Sequence, residues 1–215
     1  MISNCRLCHS SSVHPYLSAE RPFRASYLIC SNCDLVYLDE CFLLEKFEEQ
    51  SQYKLHQNDK RDPGYVNFLY KCLTPTLKHL GPGMKGLDFG CGPYPMLVEL
   101  MHEEGFEMDG FDPYFFPSTH ELEDKYDFVI STEVVEHFND PHLSWNDMVA
   151  KVAKGGFLSV MTSLRYENID FKSWHYRHDK THVSFYSEKT MNWIADFFKL
   201  EVVAIEKNVF IFKKS

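Results

Sequence analysis

The sequence predicts an α/β fold, an open and mostly parallel sheet with helices on both faces, preceded by a small cysteine-bearing module. Three observations carry this expectation. From residue 64 onward, helical and extended patterns alternate along the chain. The chain closes on two extended runs, 200–206 and 208–213, joined too tightly for a crossover helix, so they must pair antiparallel. Two Cys-x-x-Cys pairs stand within the first 40 residues. Alternating βα units build sheets that are covered on both faces.

The elements follow in order. Residues 1–40 form the cysteine module, and 41–63 a charged, polar connector with one helix near its start, ended by Pro63-Gly64. Residues 65–80 have helical spacing, with a kink or break expected near Pro75, where a backbone donor is lost. A short strand at 86–90 is followed by a helix from Pro95 to Glu104, with Gly105 placed to end it. Residues 106–111 form a second strand ending at Asp112, and 126–131 (YDFVIS) a buried one. The stretch from Pro113 to Asp124 is short for a full helix–strand passage, so a third strand there is expected to be vestigial. Residues 142–154 read as a helix, Gly155-Gly156 leads into strand 157–162, and Ser187 caps a last helix over 188–198.

Length and composition bound the function. A chain of 215 residues holds one ordinary domain and a small appendage, and its 44% hydrophobic content supplies a core. The net charge of −9 lacks the electrostatic footprint of a phosphate-backbone binder, which weighs against nucleic acid as a partner. No run of 18 apolar residues appears, and the N-terminus lacks a secretory pattern. The expectation is a cytoplasmic protein with no membrane partner, a monomer or homodimer. In that reducing setting paired cysteines read as metal ligands rather than disulfides.

Asp88-Phe-Gly90-Cys-Gly92 stands where the first strand of the sheet turns into its helix. Two glycines there let the backbone approach a ligand at the carboxyl edge of the sheet. Asp112, 24 residues after Asp88, ends the second strand and is placed to accept both hydroxyls of a ribose. A pyrophosphate-binding turn would ask for a third glycine where Pro95 stands, which weighs against a nicotinamide oxidoreductase. The loop suits a nucleoside that carries no pyrophosphate.

Three motifs in this order resemble those of class I methyltransferases: LDFGCGPYP at the glycine loop, FDP at 111–113, and YDFVISTEVVEHF at 126–138. The resemblance covers residues 64–215. It implies a Rossmann-like, seven-stranded sheet whose last strand is antiparallel, and S-adenosylmethionine as cofactor. It also implies that Asp88, Gly90 and Gly92 line the methionine and ribose side and that Asp112 holds the ribose. Ser131 and Glu133 would stand beside the cofactor and the transferring methyl. Tyr94 departs from the pattern, replacing the last glycine of the loop.

Displacement at a sulfonium needs alignment and dryness first, and a base only if the attacking atom carries a proton. Candidate acceptor-side groups are His137, which would share a helical face with Glu133, and His178 and His182 in the segment 174–182. His182-Val-Ser-Phe-Tyr-Ser187 resembles a run that faces the acceptor in related enzymes. His182 has a second reading, as a backbone-anchoring side chain, and Glu136 reads as a solvated carboxylate.

Cys5-x-x-Cys8 and Cys30-x-x-Cys33 supply four thiolates, the set of a closed, structural zinc site. Such modules resemble those on methyltransferases of sugars and other metabolites, and also on some ribosomal RNA methyltransferases. The expected acceptor is therefore a small molecule or sugar/glycan-type metabolite. The alternatives are an RNA methyltransferase gripping its substrate through the zinc module, and a non-catalytic binding module. Only Arg6, Arg21 and Arg24 are cationic in the module, which weighs against the RNA reading.

Overall fold

A computed structural model describes residues 3–54, 62–117 and 125–215. The N-terminal part is a hairpin of β1 (Val13–Ala19) and β2 (Ala25–Cys30), with β3 (Val36–Leu38) antiparallel beside β2. Each Cys-x-x-Cys pair folds back on a tight turn. The amide of His9 reaches the Cys5 carbonyl at 2.9 Å and that of Asp34 reaches the Cys30 carbonyl at 2.8 Å. The connector holds α1 (Lys46–Tyr53), started by a reciprocal cap between Glu45 and Glu48.

In α2 (Pro63–Leu77) the Asp62 carboxylate caps the first turn through the Gly64 amide at 2.8 Å. The break expected near Pro75 is absent. Pro75 stands two residues from the helix end, so the hydrogen bond it cannot donate is lost only in the last turn, and its ring is buried. There follow β4 (Lys85–Phe89), α3 (Met96–Glu103), β5 (Glu107–Phe111), β6 (Tyr126–Thr132), α4 (Pro141–Lys151) and β7 (Val152–Met161). The helix α4 stops three residues before the expected end, and its chain passes directly into β7. Gly156 lies against β6, where a Cβ would come 2.6 Å from the Asp127 carbonyl oxygen. The chain ends with β8 (Ser184–Phe185), α5 (Glu188–Phe198), β9 (Leu200–Glu206) and β10 (Val209–Lys214). Ser187 caps α5 as expected, accepting from the Thr190 amide at 3.2 Å.

The main sheet runs β5-β4-β6-β7-β10-β9. β4 is parallel to β5 and β6, β6 is parallel to β7, and β10 is antiparallel to both its neighbours. The described residues thus give six strands where seven were expected. Residues 113–117 are spent on a turn closed by an Asp112–Phe116 bridge, and 118–124 lie outside the described residues. The chain leaves β4 to one side and returns on the other through β6. That switch point leaves a crevice at the carboxyl ends of the strands.

On one face, Leu69 and Leu73 of α2 and Leu97 and Leu100 of α3 pack on Phe128 and Ile130. On the other, Trp145 of α4 and Met191 and Ile194 of α5 pack on Phe210 and Phe212. That second core runs without interruption into Cys5, Leu7, Cys33, Leu35 and Tyr37 of the cysteine module. Each such fully buried large apolar side chain contributes about 1.5–3 kcal/mol. The module's sheet also takes in β8, giving the order β1-β2-β3-β8. None of the described helices is long and apolar enough to cross a membrane.

Candidate active site

A cavity of about 780 Å³ opens in the crevice at the carboxyl ends of β4, β5 and β6. Asp88, Gly90, Gly92, Asp112, Glu133, His137 and His182 all line it. Ser131 and His178 do not. The side chain of Ser131 is buried between strands, its hydroxyl donating to the Phe89 carbonyl at 3.0 Å, so it ties β6 to β4 beneath the site. His178 is exposed on the one-turn helix 175–178. Sequence position put Ser131 at a strand end and His178 in the acceptor-side segment 174–182, and side-chain direction took both away from the cavity.

The glycine loop has the conformation its composition allows. Gly90 and Gly92 have φ of 89° and 65°, left-handed values that side chains with a Cβ rarely adopt. A Cβ on Gly90 would lie 2.5 Å from Val134, whereas one on Gly92 would project into open space. The amides of Gly90 and Cys91 both donate to the Phe111 carbonyl, at 2.7 and 3.0 Å, which fixes the loop to the end of β5. Asp112 closes the arrangement: it accepts from the Gly92 amide at 3.1 Å and from the Tyr114 and Phe115 amides at 2.8 and 3.1 Å.

Asp88 is buried below this loop. Desolvation, reinforced by the nearby Asp112, pushes its carboxyl up to about 8. Burial, then the charge of Asp88, pushes the Tyr65 phenol up to about 12.

The connector closes the cavity from the far side, a role the sequence did not announce. Glu49 of α1 accepts from Tyr53 at 2.6 Å, from Tyr114 at 2.8 Å and from Asn139 at 3.5 Å. Glu49 and Tyr53 both line the cavity. A polar connector helix carries no motif; Glu49 matters only because two phenols meet it.

The other half of the cavity is built by the turn after β6 and the segment before β8. Glu133 holds a φ of 52°, its amide bonded to the Met161 carbonyl at 2.8 Å. Strain of this kind at a non-glycine residue concentrates at functional sites. Burial pushes its carboxyl up to about 7. Glu136, expected to be solvated, is fully buried and accepts from Thr162 at 3.0 Å; the Thr162 and Tyr176 hydroxyls are in turn 3.0 Å apart. Its carboxyl is raised well above the usual range by burial and then by Glu133. The cause of this burial is local. Residues 135–137 form a single tight turn that points Glu136 inward, so His137 and Glu133 do not share a helical face.

His137 and His182 meet here with ring centroids 4.7 Å apart. Nδ1 of His137 lies 2.9 Å from the Thr181 carbonyl and Nδ1 of His182 lies 2.7 Å from the Tyr176 carbonyl. A carbonyl only accepts, so Nδ1 carries a proton in both rings. The two readings of His182 are therefore compatible: one nitrogen anchors backbone, and the ring lines the cavity.

The cysteines gather as the spacing predicts. The sulfurs of Cys5 and Cys33 are 3.6 Å apart and those of Cys8 and Cys30 are 3.4 Å apart, and all four lie within 4.8 Å of one another. Four sulfurs about 2.3 Å from one zinc ion would stand about 3.8 Å apart, so the cluster fits a zinc module.

Residues 64–205 match the family described as a methyltransferase domain. Among solved structures, the chain is similar to magnesium protoporphyrin IX methyltransferase from Synechocystis, with S-adenosylhomocysteine bound. The TM-score there is 0.53 at 12% identity, covering 79% of this chain and 94% of that one. It is also similar to the N-methyltransferase NodS from Bradyrhizobium japonicum in complex with S-adenosylhomocysteine, with a TM-score of 0.50 at 13% identity, covering 78% and 97%. A third is an O-methyltransferase family protein from Burkholderia thailandensis, with a TM-score of 0.50 at 14% identity, covering 78% and 63%. At these identities the likeness is one of fold. A search of curated protein sequences returned no match. The family match spans most of the chain, over the strands that carry the glycine loop and its acids; the chain belongs to the methyltransferase-domain family.

Proposed function

We propose that this chain methylates a small molecule or sugar/glycan-type metabolite, with S-adenosylmethionine bound over the glycine loop and zinc held by Cys5, Cys8, Cys30 and Cys33. The observation that carries the reading is the division of a single cavity into two chemically different halves. One half is the Gly90–Gly92 loop with Asp88 and Asp112; the other is Glu133, His137 and His182. The first half suits the cofactor. Gly92 leaves room where a side chain would stand, and buried Asp88 favours a cationic ligand that would restore its charge. The cavity's volume falls in the range of small-molecule sites.

Asp112 holds the ribose and Asp88 faces the methionine end. Bound S-adenosylmethionine supplies a methyl group already activated on a sulfonium. What the chain adds is alignment and exclusion of water, from Tyr53, Tyr114 and the Glu49 contacts that close the cavity. Glu133 stands at the meeting of the halves, and His137 and His182 activate the attacking atom of the acceptor. Zinc is structural in this reading, since the four cysteines leave no open position.

The test is calorimetric titration of the zinc-replete protein with S-adenosylmethionine, S-adenosylhomocysteine and NADH. Micromolar binding of the two adenosyl ligands, absent for NADH and lost in Asp112→Ala, is expected. No adenosyl binding at millimolar ligand would overturn the reading and leave a non-catalytic module.

A further inference from the structure

The geometry points to a second metal site, distinct from the cysteine cluster. We propose that Glu136, His137 and His182 bind a divalent cation at the acceptor side of the cavity, and that this cation takes an acceptor with two neighbouring oxygens, such as vicinal hydroxyls. The proposal deepens the methyl-transfer reading and rests on it for the acceptor, though not for the cation.

Four observations support the site. One ligand atom from each of the three residues lies within 4.8 Å of the other two, close enough for one ion to reach all three. Both imidazoles turn Nδ1 to a backbone carbonyl, that of Thr181 for His137 and that of Tyr176 for His182, which makes Nε2 the ligand atom of each. Backbone carbonyls commonly orient metal-binding histidines in this way. Glu136 is fully buried, yet its Oε1 has no hydrogen-bond partner among the described residues, while Oε2 is held by Thr162. A buried carboxylate oxygen without a partner is costly, and a cation satisfies it. Finally, Oε1 of Glu133, beside the same turn, is a second buried oxygen without a partner.

The donor set is two imidazole nitrogens and one carboxylate, which suits ions such as Mn²⁺ better than the thiolate cluster does. Glu136 would hold the ion from behind, while His137 and His182 line the cavity, so the remaining coordination positions face the acceptor. Two adjacent oxygens can fill two of them. With His137 and His182 occupied as ligands, activation of the acceptor passes to the cation: coordination lowers the pKa of a bound hydroxyl, whose proton leaves to water. The oxygen then takes the methyl carbon, and the carbon–sulfur bond breaks with its electron pair remaining on sulfur.

The experiment uses the full chain with zinc retained. Mn²⁺ is titrated in with and without S-adenosylhomocysteine and followed by electron paramagnetic resonance, with binding of S-adenosylhomocysteine measured by calorimetry on the same samples. We expect a single Mn²⁺ bound per chain, with couplings to imidazole nitrogen in its spectrum. Glu136→Gln and His182→Gln should each weaken it by about a hundredfold or more while S-adenosylhomocysteine still binds. Absence of Mn²⁺ binding, a spectrum without nitrogen couplings, or binding that survives both substitutions would overturn the site. The nitrogen couplings are read on the unaltered chain, so the test holds even if a variant misfolds. Mn²⁺ binding without any adenosyl binding would instead overturn the methyl-transfer reading and leave the cation site standing.

Discussion

The backbone of Val183 is hydrogen-bonded on both sides: its carbonyl accepts from the Leu38 amide at 2.8 Å, and its amide donates to the Glu136 carbonyl at 2.8 Å. Leu38 belongs to the cysteine module, Glu136 to the turn after β6, and Val183 follows His182 directly. The module is therefore part of the frame that positions His182, continued by the pairing of Val36 with Phe185 and Tyr37 with Ser184.

From this follows an expected dependence of activity on the cysteine cluster and the zinc proposed for it. Cys33→Ser is expected to strip zinc, lower the melting temperature and depress methyl transfer, although no cysteine of the cluster lines the cavity. Metal binding free energy is folding free energy for such modules. Zinc content by atomic absorption, read beside turnover, checks it. Full turnover in a zinc-free chain would contradict the coupling.

Asp34 and Arg165 form a second clamp between module and sheet. The Arg165 guanidinium is paired with the Asp34 carboxylate, and Ser187 donates to the same carboxylate at 2.6 Å. The Arg165 side chain is 8% exposed and that of Asp34 26%, so removing the guanidinium leaves a carboxylate served only by Ser187 and partial access to water. Arg165→Met should cost about 1–3 kcal/mol in a denaturant titration. A loss below about 1 kcal/mol would mean the pair is solvated and idle.

Gly90→Ala combines a left-handed backbone with a Cβ placed 2.5 Å from Val134. The expected destabilisation is about 1–3 kcal/mol. S-adenosylhomocysteine affinity should fall more steeply than stability, because the loop cannot relax without leaving the Phe111 carbonyl. Parallel unfolding and calorimetric curves separate the two effects. A neutral outcome in both would show that the loop is not held as described.

Asp88 sets a pH dependence of both stability and ligand affinity. Its carboxyl, pushed up to about 8 by burial, keeps a proton in the folded, empty chain that the unfolded chain has already released. That contribution to stability is complete in acid and is lost as pH rises towards 8, so the empty protein should become less stable over that interval. A ligand ammonium beside Asp88 needs the carboxylate, so binding below pH 8 expels a proton. S-adenosylhomocysteine affinity should climb by up to about tenfold per pH unit and level off above 8. Calorimetry in buffers of different ionisation enthalpy measures the proton directly, and Asp88→Asn should flatten both curves. Affinity that does not vary with pH would exclude this role.

Much was legible along the chain. The glycine pair of the loop, the acid at the end of the second strand and the two Cys-x-x-Cys turns are local patterns, in which spacing alone dictates geometry. The antiparallel end of the sheet was legible for the same reason, since Lys207 and Asn208 are all that separates β9 from β10. Glu136 was misread because its neighbours suggest an exposed helix, while the turn at 135–137 and the Thr162 hydroxyl from another strand draw it inside. Ser131 and His178 sit at plausible positions with side chains aimed elsewhere, and position in sequence does not encode that direction at a loop.

The sequence by itself determined the fold class, the glycine loop and the cysteine cluster, because each rests on short-range periodicity or ligand spacing. The tertiary structure alone decided that Glu49 and Tyr53 close the cavity and that the cysteine module braces His182. It also decided that Glu136, His137 and His182 converge, because these depend on backbone pairings between segments far apart in the chain, whose partners no local pattern specifies.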